Sequence, residues 1–358
     1  MTLKDIGEFG FIDRFSQNFT SGDSNIQKGI GDDCAIFPAE LEKENSNYYL
    51  FTTDLLVENI HFLKNKIFPE ELGYKSLAVS LSDIAAMGGK PKFSFLSIGL
   101  PSDISIDYLD RFMDGYRKLS EKYNVILMGG DTTGSKSGIV INVGVVGIQK
   151  NNQIKKRSDA QTGDLICVTG KLGDSAAGLK ILLEDKPLEG NNNKAKYQDN
   201  LRNRILIGRH HNPEPRVKEG LFLSKYKDIH AMMDISDGIS SDLHHILRNS
   251  KKKAIIDLYK LPLSAELKSA SKEYVWNIYD LAIGGGEDYE LLFTMSPDNF
   301  DEINTKYKEN FKTEIIPIGK ILDGDHSDKE DSINDIEYLP EIESRKLTIK
   351  GFDHFKNK

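Results

Sequence analysis

At 358 residues the chain is too long for one ordinary domain and long enough for two domains with cores of their own. With 39% hydrophobic and 28% charged residues, 30 glycines and 11 prolines, its composition is that of a globular protein in water. A net charge of −8 argues against nucleic acid or an anionic membrane surface as partner, though divalent cations would let so acidic a protein handle anionic substrates. Ile6–Phe19, with Phe9, Ile12, Phe15 and Phe19 near one side, reads as an amphipathic helix, followed by a polar loop over 20–29. GIGDDCAIF enters a strand at Cys34–Phe37, Glu40–Asn47 is a charged turn, and Tyr48–Thr53 is a strand ending on Asp54. Leu72–Pro91, LGYKSLAVSLSDIAAMGGKP, predicts a largely buried helix with a left-handed cap at Gly88-Gly89 and a stop at Pro91. Phe93–Leu100 reads as a strand, Ile106–Tyr123 as a helix, and Val125–Met128 as a short strand running into the turn GGDTT. Ile139–Ile148 is a buried strand, too short to span a bilayer.

A boundary falls near residue 150, dividing an α+β domain over 1–150 from a second α/β domain over 151–358. In the second, Asp164–Thr169 is a strand leading through the Gly-rich TGKLGDSAAGL into a helix. Lys186–Asp199 is an Asn/Lys-rich loop, and Ile229–Ile235 a strand opening onto SDGISSDLHHIL, where Ser236 and Asp237 suit a helix N-terminus. Ala254–Leu258 is a strand, a helix starts from Ser264, and AIGGGEDYELLFT is a Gly-rich strand entry. A helix around Asn299–Tyr307, a strand at Glu314–Ile321, an acidic loop over Asp323–Asp335 and the end KGFDHF complete the chain. Two cysteines far apart, Cys34 and Cys167, and an N-terminus without the apolar core of a signal peptide point to a cytoplasmic protein.

The chemistry lies in the carboxylates. Asp83 sits in the middle of an apolar helix, where a charge is costly unless it is paired or bound to metal. Asp33, Asp54, Asp131, Asp234 and Asp237 each close an apolar run. Any one of them reads equally well as a turn or cap residue. Gathered together they would repel one another without cations, and such an oxygen-rich set suits Mg²⁺. Thr52 and Thr53 beside Asp54 are either plain strand formers or further oxygen donors. Zinc is disfavoured, because the cysteines are unpaired and no His-rich spacing appears. No Walker loop or kinase signature is present, while Gly129-Gly130 before Asp131 fits a tight turn that lets backbone approach a nucleotide. His61, Arg157, Glu287 and Phe352 are candidate ligand contacts, each with an ordinary surface or packing role as its alternative.

Taken together, GIGDDCA, TTDLLVENIHF, YKSLAVSLSDIAAMGGKP, GGDTT, VTGKLGDSAAGL, DISDGISSDL, GGEDYELLFT and KGFDHF resemble the thiamine-monophosphate kinase family, in this order and along nearly the whole chain. The resemblance implies a two-domain aminoimidazole ribonucleotide synthetase-like fold, with N-terminal domains pairing in a homodimer to close a β-barrel. It implies phosphorylation of thiamine monophosphate to thiamine diphosphate with ATP and several Mg²⁺ ions. Carried over by position, Asp33, Thr52, Thr53, Asp54, Asp83, Asp131, Asp234 and Asp237 look like the metal shell. Gly130, Asp131, Arg157 and Ser236 look like nucleotide contacts, with Asp33, Asp54, Asp83, Asp131 and Arg157 carrying the chemistry. His61, Glu287 and Phe352 look like contacts to the thiamine substrate. Gly134 stands where many members have Arg, and Ser80 where Asn is common, a change expected to matter little. Another ATP-using enzyme of the same fold, or a silent nucleotide- or thiamine-phosphate-binding sensor, is the alternative.

Overall fold

Pro69–Ala86 forms an α-helix (α1) in which only Glu70, Glu71 and Asp83 of its eighteen residues are not buried. Pro69 occupies the first turn, where its missing N–H costs nothing, and Glu71 accepts the Phe68 N–H at 3.1 Å. Gly88, at φ 69°, ends the helix in the left-handed conformation expected from the sequence. The computed structural model describes residues 32–38, 47–184, 200–324 and 335–339. The expected helix over Ile6–Phe19, the loop at Lys186–Asp199, most of the acidic stretch, and the KGFDHF end with Phe352 lie outside those residues.

One face of α1 packs on a five-stranded sheet of β1 (Ala35–Pro38), β2 (Asn47–Val57), β3 (Lys90–Leu100), β4 (Ile126–Gly134) and β5 (Val140–Lys150). The order is β1-β2-β5-β3-β4, antiparallel except for β3 and β4. That parallel pair needs a crossover, supplied by α2 (Ile106–Tyr123), whose N-cap Ser105 accepts the Tyr108 N–H and whose end is the left-handed Asn124. The two helices approach closely at Gly73, where an added Cβ would lie 1.9 Å from the Phe112 carbonyl oxygen.

A second, six-stranded sheet follows in the order β11-β8-β10-β6-β9-β7. Its strands are β6 (Leu165–Val168), β7 (Ile229–Asp234), β8 (Lys252–Asp257), β9 (Leu291–Met295), β10 (Ile316–Asp323) and β11 (Ile336–Leu339). Around it run α3 (Asp174–Glu184), α4 (Leu201–His211), α5 (Val217–Leu223), α6 (Ile239–Ser250), α7 (Ala265–Glu273), α8 (Ile278–Gly284) and α9 (Phe300–Phe311). The helix α1 also touches β7, α4 and α5 of this half. One apolar core therefore runs from Leu50, Leu77 and Ile84 through to Met232, Phe293 and Tyr307.

Three elements differ from the sequence expectation. Asp54 lies inside β2, because pairing with β5 carries the strand on to Val57 and turns Asp54 inward. GGDTT is the second half of the edge strand β4, since parallel pairing with β3 continues through it to Gly134. An added Cβ at Gly130 would lie 1.7 Å from the Leu96 carbonyl oxygen, so this glycine serves a close strand approach. The AIG of AIGGGEDYELLFT belongs to α8, and the strand begins only at Leu291. Among the described residues no helix is long and apolar enough to cross a membrane.

Candidate active site

Side chains alternate along β2. Leu50, Thr52 and Leu56 are buried beneath α1, and Asp54 points the same way, while Phe51, Thr53 and Leu55 are exposed on the other face. α1 answers with a hydroxyl and a carboxylate at the positions that face this strand. Ser80 Oγ donates to Asp54 Oδ2 at 2.7 Å, and Thr52 Oγ1 donates to Asp83 Oδ2. From the second sheet, β7 ends on Asp234, whose Oδ2 accepts from Ser82 Oγ at 2.6 Å. Asp33, just before β1, brings a fourth carboxylate. Oxygen atoms of Asp33, Asp83 and Asp234 all lie within 4.8 Å of one another.

So close a set is electrostatically unfavourable by itself. Burial raises the Asp83 carboxyl well above the usual range, and the charges of Asp54, Asp234 and Asp33 add to this against the Thr52 hydrogen bond. Asp234 is raised to about 7 by burial and by Asp33, with Ser82 and Arg157 pulling it down. Burial likewise raises Asp54, opposed by Ser80. The cation on the spot is Arg157, whose Nε lies 3.0 Å from Asp33 Oδ2 and whose Nη2 also reaches Asp33. Burial disfavours its charge, but Asp33 and Asp32 outweigh that and hold it firmly protonated. Among the described residues three convergent carboxylates face one guanidinium, and hard oxygen donors suit Mg²⁺ and exclude a soft metal.

Other candidates have different places. Ser236 and Asp237 lie in the loop from β7 into α6, where both backbone N–H groups donate to Asp242 Oδ2, at 3.1 and 3.2 Å. Thr53 faces the other side of the sheet and accepts from Asn142 Nδ2 at 2.8 Å. Asp131 shares a row with Ser97, Asn142 and Leu55, which puts it with Gly130 on the exposed edge strand and on the face away from the carboxylates. His61 sits in the turn after β2, its Nδ1 accepting the Val57 N–H at 3.0 Å. Glu287 lies on the loop after α8, its N–H bonded to the Ser236 carbonyl at 2.7 Å and its carboxylate paired with Lys75 and His210. The structure thus gathers Asp33, Thr52, Asp54, Asp83, Asp234 and Arg157, with the Ser236–Asp237 loop following directly on Asp234. It does not bring Thr53, Asp131 or the His61 side chain into that group. Ser80, Ser82, Asp242, Lys75 and His210 were not singled out as site residues by sequence. The one signal for Lys75, Ser80 and Ser82 is the run of polar residues, Lys75, Ser76, Ser80 and Ser82, along a helix otherwise apolar.

Residues 31–149 match the family described as AIR synthase related protein, N-terminal domain, and residues 161–331 its C-terminal domain. The thiamine-monophosphate kinase of Buchnera aphidicola subsp. Acyrthosiphon pisum is 40% identical over 97% of this chain and 98% of its own. That of Aquifex aeolicus is 36% identical over 99% and 100%. The chain belongs to the thiamine-monophosphate kinase family. Among solved structures, AaThiL complexed with AMPPCP and TMP superposes at a TM-score of 0.79 with 34% identity, covering 99% of both chains. The kinase from Stenotrophomonas maltophilia K279a gives a TM-score of 0.72 at 33% identity, covering 93% of this chain and 96% of that one. The family's two-domain α/β fold is therefore the fold of this chain.

Proposed function

We propose that this protein transfers the γ-phosphoryl group of ATP to thiamine monophosphate, giving thiamine diphosphate and ADP. The observation that carries the reading is the convergence of Asp33, Asp83 and Asp234 within 4.8 Å, each hydrogen-bonded by a neighbour, in a chain that matches this family over its length. Asp33, Asp83 and Asp234 would hold Mg²⁺ with Thr52, Asp54 and Asp237 around them, whereas Thr53 and Asp131, which the family pattern includes, lie on the other face of the sheet. Bound there, the metal neutralises phosphate charge. The acceptor is itself a phosphate with a second pKa of about 6, already largely anionic at neutral pH, so the site needs no strong general base. What must be overcome is repulsion between two polyanions. Arg157, held by Asp33, supplies a fixed cation, and the Ser236 loop, held by Asp242, follows directly on Asp234 to meet the nucleotide. A bond forms from an acceptor phosphate oxygen to the γ-phosphorus as the bond to the β–γ bridging oxygen breaks, in line and without a phosphoenzyme. His61, Glu287 and Phe352 serve the thiamine moiety. Incubation with ATP, Mg²⁺ and thiamine monophosphate should yield thiamine diphosphate and ADP in equal amounts, and chelation should abolish both. Full turnover by metal-free protein, or ADP without thiamine diphosphate, would end this reading.

The division near residue 150 assigns metal and pairing chiefly to the first domain, and completion of the nucleotide and substrate site to the second. We place the protein in the cytoplasm, where Cys34 and Cys167, both free and buried, stay reduced. The outer face of the first sheet exposes Phe51, Leu55 and Phe95, and the edge strand β4 adds Ile126, Leu127 and Met128. A second copy of the chain would cover this face and the β4 edge, unpaired among the described residues, closing a barrel across a two-fold axis. Sedimentation at micromolar concentration should give twice the chain mass; a monomer there would remove the barrel.

A further inference from the structure

Glu287 is held more tightly than a solvated ligand contact requires. It is a non-glycine residue at φ 62°, followed by Tyr289 at φ 49°, a pair of left-handed residues that persists only where the surroundings enforce it. The enforcement is visible: the Glu287 N–H bonds the Ser236 carbonyl at 2.7 Å, and the Tyr289 N–H bonds the Ile235 carbonyl at 2.9 Å. Lys75, on α1 and fully buried, places Nζ 2.9 Å from Glu287 Oε2. His210, at the end of α4, places Nδ1 3.1 Å from the same oxygen and 3.0 Å from Ser175 Oγ. Both partners take Oε2, and the Glu287 side chain keeps 27% of its surface exposed. A buried ammonium beside a carboxylate makes a pair with no net charge, so its pull on a distant cation is only that of a dipole.

We propose that Lys75 and His210 are positioning residues that fix Glu287 through Oε2 and leave Oε1 as a hydrogen-bond acceptor for the amino group of the substrate's aminopyrimidine, not as a counter-ion to its thiazolium. This rests on the reading of Glu287 as a thiamine contact. The same lysine sits on α1 eight residues before Asp83, so one helix sets both the metal ligand and the substrate acceptor. Charged and polar groups face His210 from every side: Lys75 from α1, Glu287 from its loop, Ser175 from α3, and His211 beside it, itself paired with Glu71 at 3.0 Å. Burial first, then the Lys75 and His211 charges, hold the His210 imidazole well below its usual range and therefore neutral.

The test is Lys75→Met, measured for turnover against the wild type across pH. At about pH 8 the KM for thiamine monophosphate should rise ~10-fold or more, with the KM for ATP within ~2-fold. Without the lysine charge, His210 gains a proton as the pH falls and supplies the missing cation. The ratio of variant to wild-type KM should therefore shrink as the pH falls, and His210→Asn added to Lys75→Met should remove the recovery. Taking the ratio at each pH cancels the titration of the substrate phosphate. A counter-ion role predicts the reverse, since Lys75→Met would bare the Glu287 charge and lower the KM. An unchanged or lowered KM overturns the proposal. Should Lys75→Met fail to fold, Lys75→Met combined with Glu287→Gln buries no unpaired charge and keeps an acceptor oxygen. That pair should bind within ~3-fold of wild type without the pH dependence, and a counter-ion role would instead cost it as much as removal of Glu287. Titration of thiamine itself by calorimetry reads the same ratios without turnover, so absence of kinase activity would reject the function while leaving this inference separately decided.

Discussion

Replacing Asp83 by Asn should lower turnover by on the order of 10²- to 10³-fold while raising the melting temperature of the metal-free protein. The two effects come from one cause. Asp83 is the point where the repulsion of Asp54, Asp234 and Asp33 is felt most, and it sits in the middle of a buried helix. A neutral amide removes one charge from that crowd, and its oxygen still accepts from Thr52, so the metal-free fold should gain about 1 kcal/mol. Function loses what stability gains, because Asn carries no charge with which to balance a cation between phosphates. A thermal melt with and without Mg²⁺, set beside single-turnover product analysis, checks both halves. Normal turnover would make Asp83 a structural partner of Thr52 only. Lost turnover with a lowered melting temperature would show that the carboxylate is needed for the fold.

Asp83 was legible because its environment was: an apolar helical period, a Gly-Gly cap and a proline enclose one charge with no local partner. The same logic found Asp33 and Asp234, each polar at the end of an apolar run. It misplaced the end of β2, because Asp54 reads as a terminator when only local preference is weighed, whereas pairing with β5 and the Ser80 hydroxyl hold it within the strand. Gly129-Gly130 reads as a turn for the same reason, and parallel pairing with Leu96 and its neighbours made it strand. The supporting residues were harder. Ser80, read only as a small polar stand-in for the common Asn, is the hydroxyl that satisfies Asp54. Ser82 meets Asp234 across 152 positions of sequence, and Lys75 meets Glu287 across 212, separations that a local pattern cannot connect. The face bearing Asp131 followed from strand register, which the motif alone does not state.

Arg157→Gln should have the largest effect on stability, and its dependence on pH should reveal why. Arg157 forms a two-pronged pair with Asp33 and lies near Asp32. Removing one partner of a buried pair leaves an uncompensated charge, at a cost of about 3–5 kcal/mol. Glutamine keeps a donor for Asp33 but lowers no neighbour's proton affinity, and Asp234, already raised to about 7, loses the cation that pulls it down. A carboxyl raised in the folded state binds a proton there more readily than in the unfolded chain. Its penalty is therefore full above the folded value, falls as the pH drops through it, and vanishes below the unfolded value near 3.8. The metal-free wild type should accordingly gain stability on acidification from about pH 8 to about pH 5.5, and Arg157→Gln should gain more over the same window. Mg²⁺ at about pH 8 should restore much of the loss, since a cation bound by the three carboxylates replaces the missing charge. Activity should stay low even then, because a fixed guanidinium for the phosphates is gone. Melting curves at the two pH values with and without Mg²⁺ decide the point: a loss of stability that neither acid nor metal repairs would mean that Arg157 holds the fold by packing, and that the carboxylate cluster is not the source of strain.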